Sequence, residues 1–167
     1  MADISYTQKA TERRASPGVV AGKGDANTLK TLFVSTVEVA ASAAAGTTYK
    51  MGRINTTDRL SALSWIAADD LSTNAVLLDI GLASVDQNVT SDPDALNDGL
   101  DCNSAALAAT SVIKSIADSG RQAWEFVGGV GTLTADPGGQ LDVYVTVTDA
   151  AVVAGGTVTV EMFGYTD

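Results

Sequence analysis

At 167 residues the chain suits a single domain, and its 46% hydrophobic, 5% aromatic composition supplies an Ala/Val/Leu/Ile core that needs no disulfide or metal staple. Twenty acidic residues against ten basic ones give a net charge of −10, which disfavours nucleic acid and anionic membrane surfaces and keeps free copies apart. With no His and one cysteine, Cys102, the chain can form no intrachain disulfide and no Ser-His-Asp triad, and zinc is not expected. Cys102 reads as a small packed residue of a protein made in a reducing cytosol.

Residues 1–28 read as an extended N-terminal arm. The stretch is polar, with Gly18, Gly22 and Gly24 close together, and has little to bury. Lys9, Arg13, Arg14 and Lys23 are four of the ten basic residues. A basic leader on an acidic body suits a tether that orders against a neighbouring subunit, and these four residues are the candidate partner-binding set. Met1 to Lys9 contains no apolar h-region, so no signal peptide is expected. No apolar run approaches the roughly 20 residues needed to span a bilayer.

From Leu29 the pattern becomes that of strands. Leu32, Val34, Thr36 and Glu38 alternate with Phe33, Ser35, Val37 and Val39. Ala40 to Gly46 reads as a loop, Thr47 to Ile54 as a second strand, and Arg59 to Ala67 as a third. Ala75 to Leu82 is a near-continuous apolar run, as in a strand buried on both faces. Ser91-Asp-Pro-Asp-Ala-Leu-Asn-Asp-Gly opens like a short helix, with Ser91 or Asp92 as cap, Pro93 in the first turn and Gly99 at the end. Ser104 to Asp118 fits helix or strand, and Gly120 to Gly129 a helical turn or a short strand.

Thr132 to Ala135 is expected as a short strand, followed by a tight turn at Asp136-Pro-Gly-Gly. Leu141, Val143, Val145 and Val147 alternate with Asp142, Tyr144, Thr146 and Thr148. Thr157 to Tyr165 alternates again after Ala154-Gly-Gly. The two read as an antiparallel hairpin with one wet face. The fold expected from these elements is all-β with one or two short helices: an antiparallel β-sandwich or jelly roll over residues 29–167 behind the arm.

Motifs for chemistry fail on spacing. Gly18-Val-Val-Ala-Gly-Lys-Gly has three residues between its first two glycines where a phosphate loop needs four, and Gly24 stands where Ser or Thr belongs. Gly128-Gly-Val-Gly lacks the third glycine of a dinucleotide loop. The acidic stretch Asp86 to Asp101 offers oxygen ligands, but an EF-hand ending its turn at Gly99 would need an oxygen ligand at Leu96 and Glu at Ala105. A calcium site of another kind stays open beside a solvated acidic loop. The four glutamates, Glu12, Glu38, Glu125 and Glu161, form no legible carboxylate pair. The chain is therefore read as no enzyme, with no cofactor and no catalytic or metal residues. Trp65 and Trp124 read as core or interface anchors, with a sugar platform as the other reading.

Three stretches, Tyr6 to Gly18, Asp69 to Leu82, and Ala135 through to Tyr165, resemble the decoration or cement proteins of tailed-bacteriophage capsids, particularly the jelly-roll kind. The resemblance implies a structural virion protein on the outside of the capsid, made in the host cytoplasm, that cements neighbouring capsomers. Its implied partners are the major capsid protein and sister subunits, as a homotrimer, with no nucleic acid and no membrane. The rival reading is a carbohydrate-binding or host-adhesion β-sandwich of a phage tail or fibre.

Overall fold

The computed structural model describes residues 28–71, 75–103 and 105–165, and these build two antiparallel sheets packed face to face. The strands are β1 (Leu29–Val39), β2 (Thr48–Asn55), β3 (Arg59–Leu60), β4 (Trp65–Ala68), β5 (Leu77–Ser84), β6 (Asp92–Asp101), β7 (Leu107–Ser111), β8 (Gln140–Thr148) and β9 (Gly156–Tyr165). One sheet runs β1-β9-β4-β7, with the two-residue β3 also on β9; the other runs β2-β8-β5-β6. The antiparallel pairs are nested: β1 with β9, β2 with β8, β4 with β7, and β5 with β6. The expected antiparallel sandwich is what the chain forms. Its helical content among the described residues is two 3-10 turns, Ile116–Asp118 and Ala123–Phe126.

The core lies between the sheets. Leu141, Val143, Val145 and Val147 of β8 are all 0% exposed and meet Val158, Val160 and Met162 of β9 in one cluster with Ile66, Leu78, Ile80 and Leu82. Period-2 alternation is the cause: each strand of a two-sheet sandwich has one face toward its partner sheet. Two bulges reset that alternation. The shift between Thr31 and Phe33 lets Leu32 and Phe33 both pack on the core, and the shift between Lys50 and Gly52 buries Ile54 in place of Arg53. The Phe33 ring then lies on Gly52, where any side chain would strike it.

The expected strand Arg59–Ala67 is broken into β3 and β4. Ser64 closes a turn on Ser61 (N to O, 3.0 Å), and its buried hydroxyl takes over the backbone of Phe163, accepting from its N–H at 2.9 Å and donating to its carbonyl at 3.2 Å. Serine hydroxyls compete with ladder pairing in this way. The expected strand at Thr132–Ala135 is instead irregular, because Thr132 folds back on the preceding glycine loop, its hydroxyl donating to the Gly128 carbonyl at 2.7 Å. The run from Ala75 contains strand β5, but the strand is buried mainly on one face, at Leu78, Ile80 and Leu82, with Gly81 covered on the other.

Two corrections are larger. The expected helix Ser91–Gly99 is strand β6, on the edge of its sheet. Pairing with β5 overrides the local capping signals, Pro93 is tolerated near the start of an edge strand, and the Asn/Asp/Gly content appears as register shifts with Gly99 at φ 65°. The expected β8–β9 hairpin does not form either: β8 pairs with β2 and β5, and β9 with β1, β3 and β4. The connection from Asp149 to Gly155 crosses between sheets, plugged by Val152 at 1% exposure and pinned where Ser42 N–H donates to Val152 O at 2.8 Å and Val152 N–H to Ala43 O at 2.9 Å. Nor is the second face of β8 wet, since Asp142 and Thr146 are each only 7% exposed.

Candidate interaction surfaces

The candidate partner-binding residues Lys9, Arg13, Arg14 and Lys23 lie outside the described residues. From residue 28 onward the chain holds six basic and seventeen acidic residues, a net −11. Most of those cations are already engaged. Lys50 and Arg53 both bind Asp142, at 2.7 and 2.5 Å; Lys30 binds Asp58 at 3.2 Å; Lys114 binds Asp98; Arg121 binds Asp118 at 2.8 Å and Glu125 at 3.1 Å. Arg59 donates to the Gly120 carbonyl at 3.0 Å. The Asp142 carboxyl is held below its ordinary value, chiefly by the Arg53 hydrogen bond against the cost of burial, with Lys50 adding to the effect.

The acidic stretch is dispersed along an extended strand and its loop. Asp92 accepts from the Gly128 N–H at 2.7 Å, Asp98 pairs with Lys114, and Asp101 accepts from the Asn103 N–H at 2.8 Å. Among the described residues no three acidic or cysteine side chains are grouped to hold a metal ion. Cys102 is fully buried, and burial, then the charges of Asp101 and Asp70, push its thiol up to about 12. A thiol in that environment is packing, not a nucleophile.

The tryptophans are tied into the framework at separate places. Trp65 on β4 donates from Nε1 to Glu161 Oε2 of β9 at 2.9 Å, and Trp124 donates to its own turn at Gln122 Oε1, 2.8 Å away. Neither lines the three clefts described next, where a sugar platform would want them.

Those clefts are shallow. One of about 540 Å³ lies between Val89 and the Val127–Leu133 loop, and one of about 160 Å³ between Leu96, Lys114 and Val130. A third, of about 260 Å³, lies on the outer face of the β2-β8-β5-β6 sheet between Pro93, Tyr144 and Thr146. Sequence reasoning missed it because the Ser91–Pro93 segment was read as a helix cap; in the fold its backbone crosses Gly81, and a Cβ there would strike Asp92 and Pro93. Outside the clefts, Val34, Leu63, Val153 and Ile116 stand in solvent at 59, 64, 56 and 83% exposure. Two loops, 40–47 and 150–155, carry no charge and meet at one end of the sandwich.

No protein-family model and no curated protein matches the chain. Among solved structures the fold is similar to a chain of the "Cyanophage Pam1 capsid asymmetric unit", with a TM-score of 0.55 and 15% sequence identity, over 92% of this chain and 96% of that one.

Proposed function

We propose that this chain is a structural virion protein that binds the outside of a phage capsid and cements neighbouring capsomers. The observation that carries the reading is the fold likeness to a phage capsid chain, which extends over nearly the whole of both molecules. The nested strand pairs support it further. A ribbon in which β1 pairs with β9, β2 with β8, β4 with β7 and β5 with β6 is a long hairpin rolled into two sheets, which we read as a jelly roll, an architecture shared by viral capsid and lectin domains. Such a role works by contact and needs no active site.

The partners in this reading are the major capsid protein and sister subunits, assembled as a homotrimer at the capsid surface after synthesis in the host cytoplasm. The arm, residues 1–28, is the docking segment of the sandwich 29–167, with Lys9, Arg13, Arg14 and Lys23 as its charged contacts. Each docked patch contributes only a few kcal/mol after ordering costs, at ~25 cal/mol per Å² of apolar area, and several linked copies multiply it. The test is sedimentation with phage heads that lack the protein. The full chain is expected to pellet with the heads, while a chain lacking residues 1–24 stays in the supernatant with an unchanged circular dichroism spectrum. A truncated chain that pellets as well as the full one contradicts the role of the arm.

A further inference from the structure

The cleft on the outer face of the β2-β8-β5-β6 sheet holds a buried polar group with nothing to bind. Thr146 is 7% exposed, lines the cleft, and its Oγ1 has no hydrogen-bond partner. Its cross-strand neighbours on that face are Thr48 on one side and Asp79 on the other. A hydroxyl shielded from water without a partner costs free energy that a bound group covering it can offset.

Asp92 lines the cleft and accepts from the Gly128 N–H, and Asp79 stands across from Thr146 and accepts from the Gly99 N–H; among the described residues neither is in an ion pair. Asp94, two residues on, lines the neighbouring cleft with Lys114. The Asp94 carboxyl is held above its ordinary value, first by its hydrogen bond with Asp92, then by burial, then by the charges of Asp92 and Asp79. The nearby lysines are committed, Lys114 to Asp98 and Lys50 to Asp142. Among the described residues no three carboxylates are grouped to hold a metal ion, which suits a peptide cation better. The walls supply the rest of a peptide site: the Tyr144 ring and Pro93 for apolar contact, and the Ser91 and Thr48 hydroxyls for backbone groups.

We propose that this cleft receives residues 9–23 of a neighbouring copy, a basic segment whose arginines meet Asp92 and Asp79 and whose backbone lies over Thr146. The charge is complementary, since the segment carries Lys9, Arg13, Arg14 and Lys23 and the body net −11. The reach is ample: Thr28 lies fourteen residue steps beyond Arg14, roughly 45 Å at full extension. The root favours a neighbour over the same copy. Leu29 begins β1 in the other sheet, at the end of the sandwich opposite Thr48, so an arm serving its own cleft must double back along the body. The inference rests on the capsid reading only for the arm as a docking segment; the pairing of copies is its own claim.

The test uses the free full-length protein. Tyr144 is replaced by the photo-crosslinking residue benzoylphenylalanine, heavy-isotope and light copies are mixed, and cross-linked peptides are identified by mass spectrometry. The expected product joins position 144 of one isotope to a peptide within residues 9–23 of the other. Its yield should fall about tenfold when Arg13→Glu and Arg14→Glu are combined, as for loss of charge-assisted contacts. The same probe at the exposed Ser91 gives the same product should the Tyr144 replacement disturb the sheet. No captured arm peptide, capture only within one copy, or a yield indifferent to charge reversal overturns the proposal. Because no shell is present, failure to bind heads would leave this result standing, and the two ideas fail separately.

Discussion

Asp142 shows how a single carboxylate is used on this surface. It is buried beside β2, where Lys50 and Arg53 reach it from either side of the bulge at Met51. Its folded-state pKa is depressed, so the unfolded chain binds the proton first as pH falls. The stability it contributes is therefore present above the ordinary carboxylate range, about pH 4, and is lost as pH falls through the lower folded value. Asp94 has the opposite sign: its raised value means that the folded state is penalised where it is ionised. Asp142→Asn should cost about 1 kcal/mol at neutral pH, a small figure because Lys50 and Arg53 are 44 and 41% exposed and screened by solvent. Urea denaturation at pH 7 and pH 3 checks this. The variant's deficit should shrink at pH 3, and a deficit equal at both pH values contradicts the assignment.

Among the elements, those with unbroken alternation were legible from sequence. β1, β2, β8 and β9 stand within a residue or two of where Val, Leu, Ile and Thr alternate. What alternation cannot encode is the partner. β8 and β9 each have one buried face, which fits a shared hairpin and a pair of facing sheets equally, and only the seven residues from Asp149 to Gly155, too many for a two-residue turn, hinted at the crossing. β6 was illegible for a different reason: Ser91, Asp92 and Pro93 are good helix-start residues locally, and long-range pairing with β5 decides against them. The outer cleft, which exists only because that segment crosses Gly81, was hidden with it. Gly81→Ala tests the crossing. Its methyl would meet the backbone of Asp92 and Pro93, which cannot rotate away, so the substitution should cost about 2 kcal/mol. A thermal midpoint unchanged from that of the parent protein would mean that the segment is free to lift off β5.

At the scale of the whole molecule, charge and shape act together. A body at net −11 repels its own copies, so dense packing on a particle needs cations from elsewhere, and the body's own are largely spent on internal ion pairs. The loops at one end of the sandwich are uncharged and tied together by backbone hydrogen bonds. Composition made the charge imbalance readable, with twenty acidic residues against ten basic ones, and the absence of His leaves no histidine triad. The exposed apolar residues Val34, Leu63, Val153 and Ile116 were not readable as such, because alternation does not say which side chains a neighbouring strand or loop will cover. The most direct measurement is a saturation curve: purified protein added to heads that lack it, with bound protein quantified after sedimentation. The account predicts saturable binding at a fixed whole-number ratio to capsomers over the entire shell. Protein that stays in solution with heads but binds isolated tails or host glycans would contradict it.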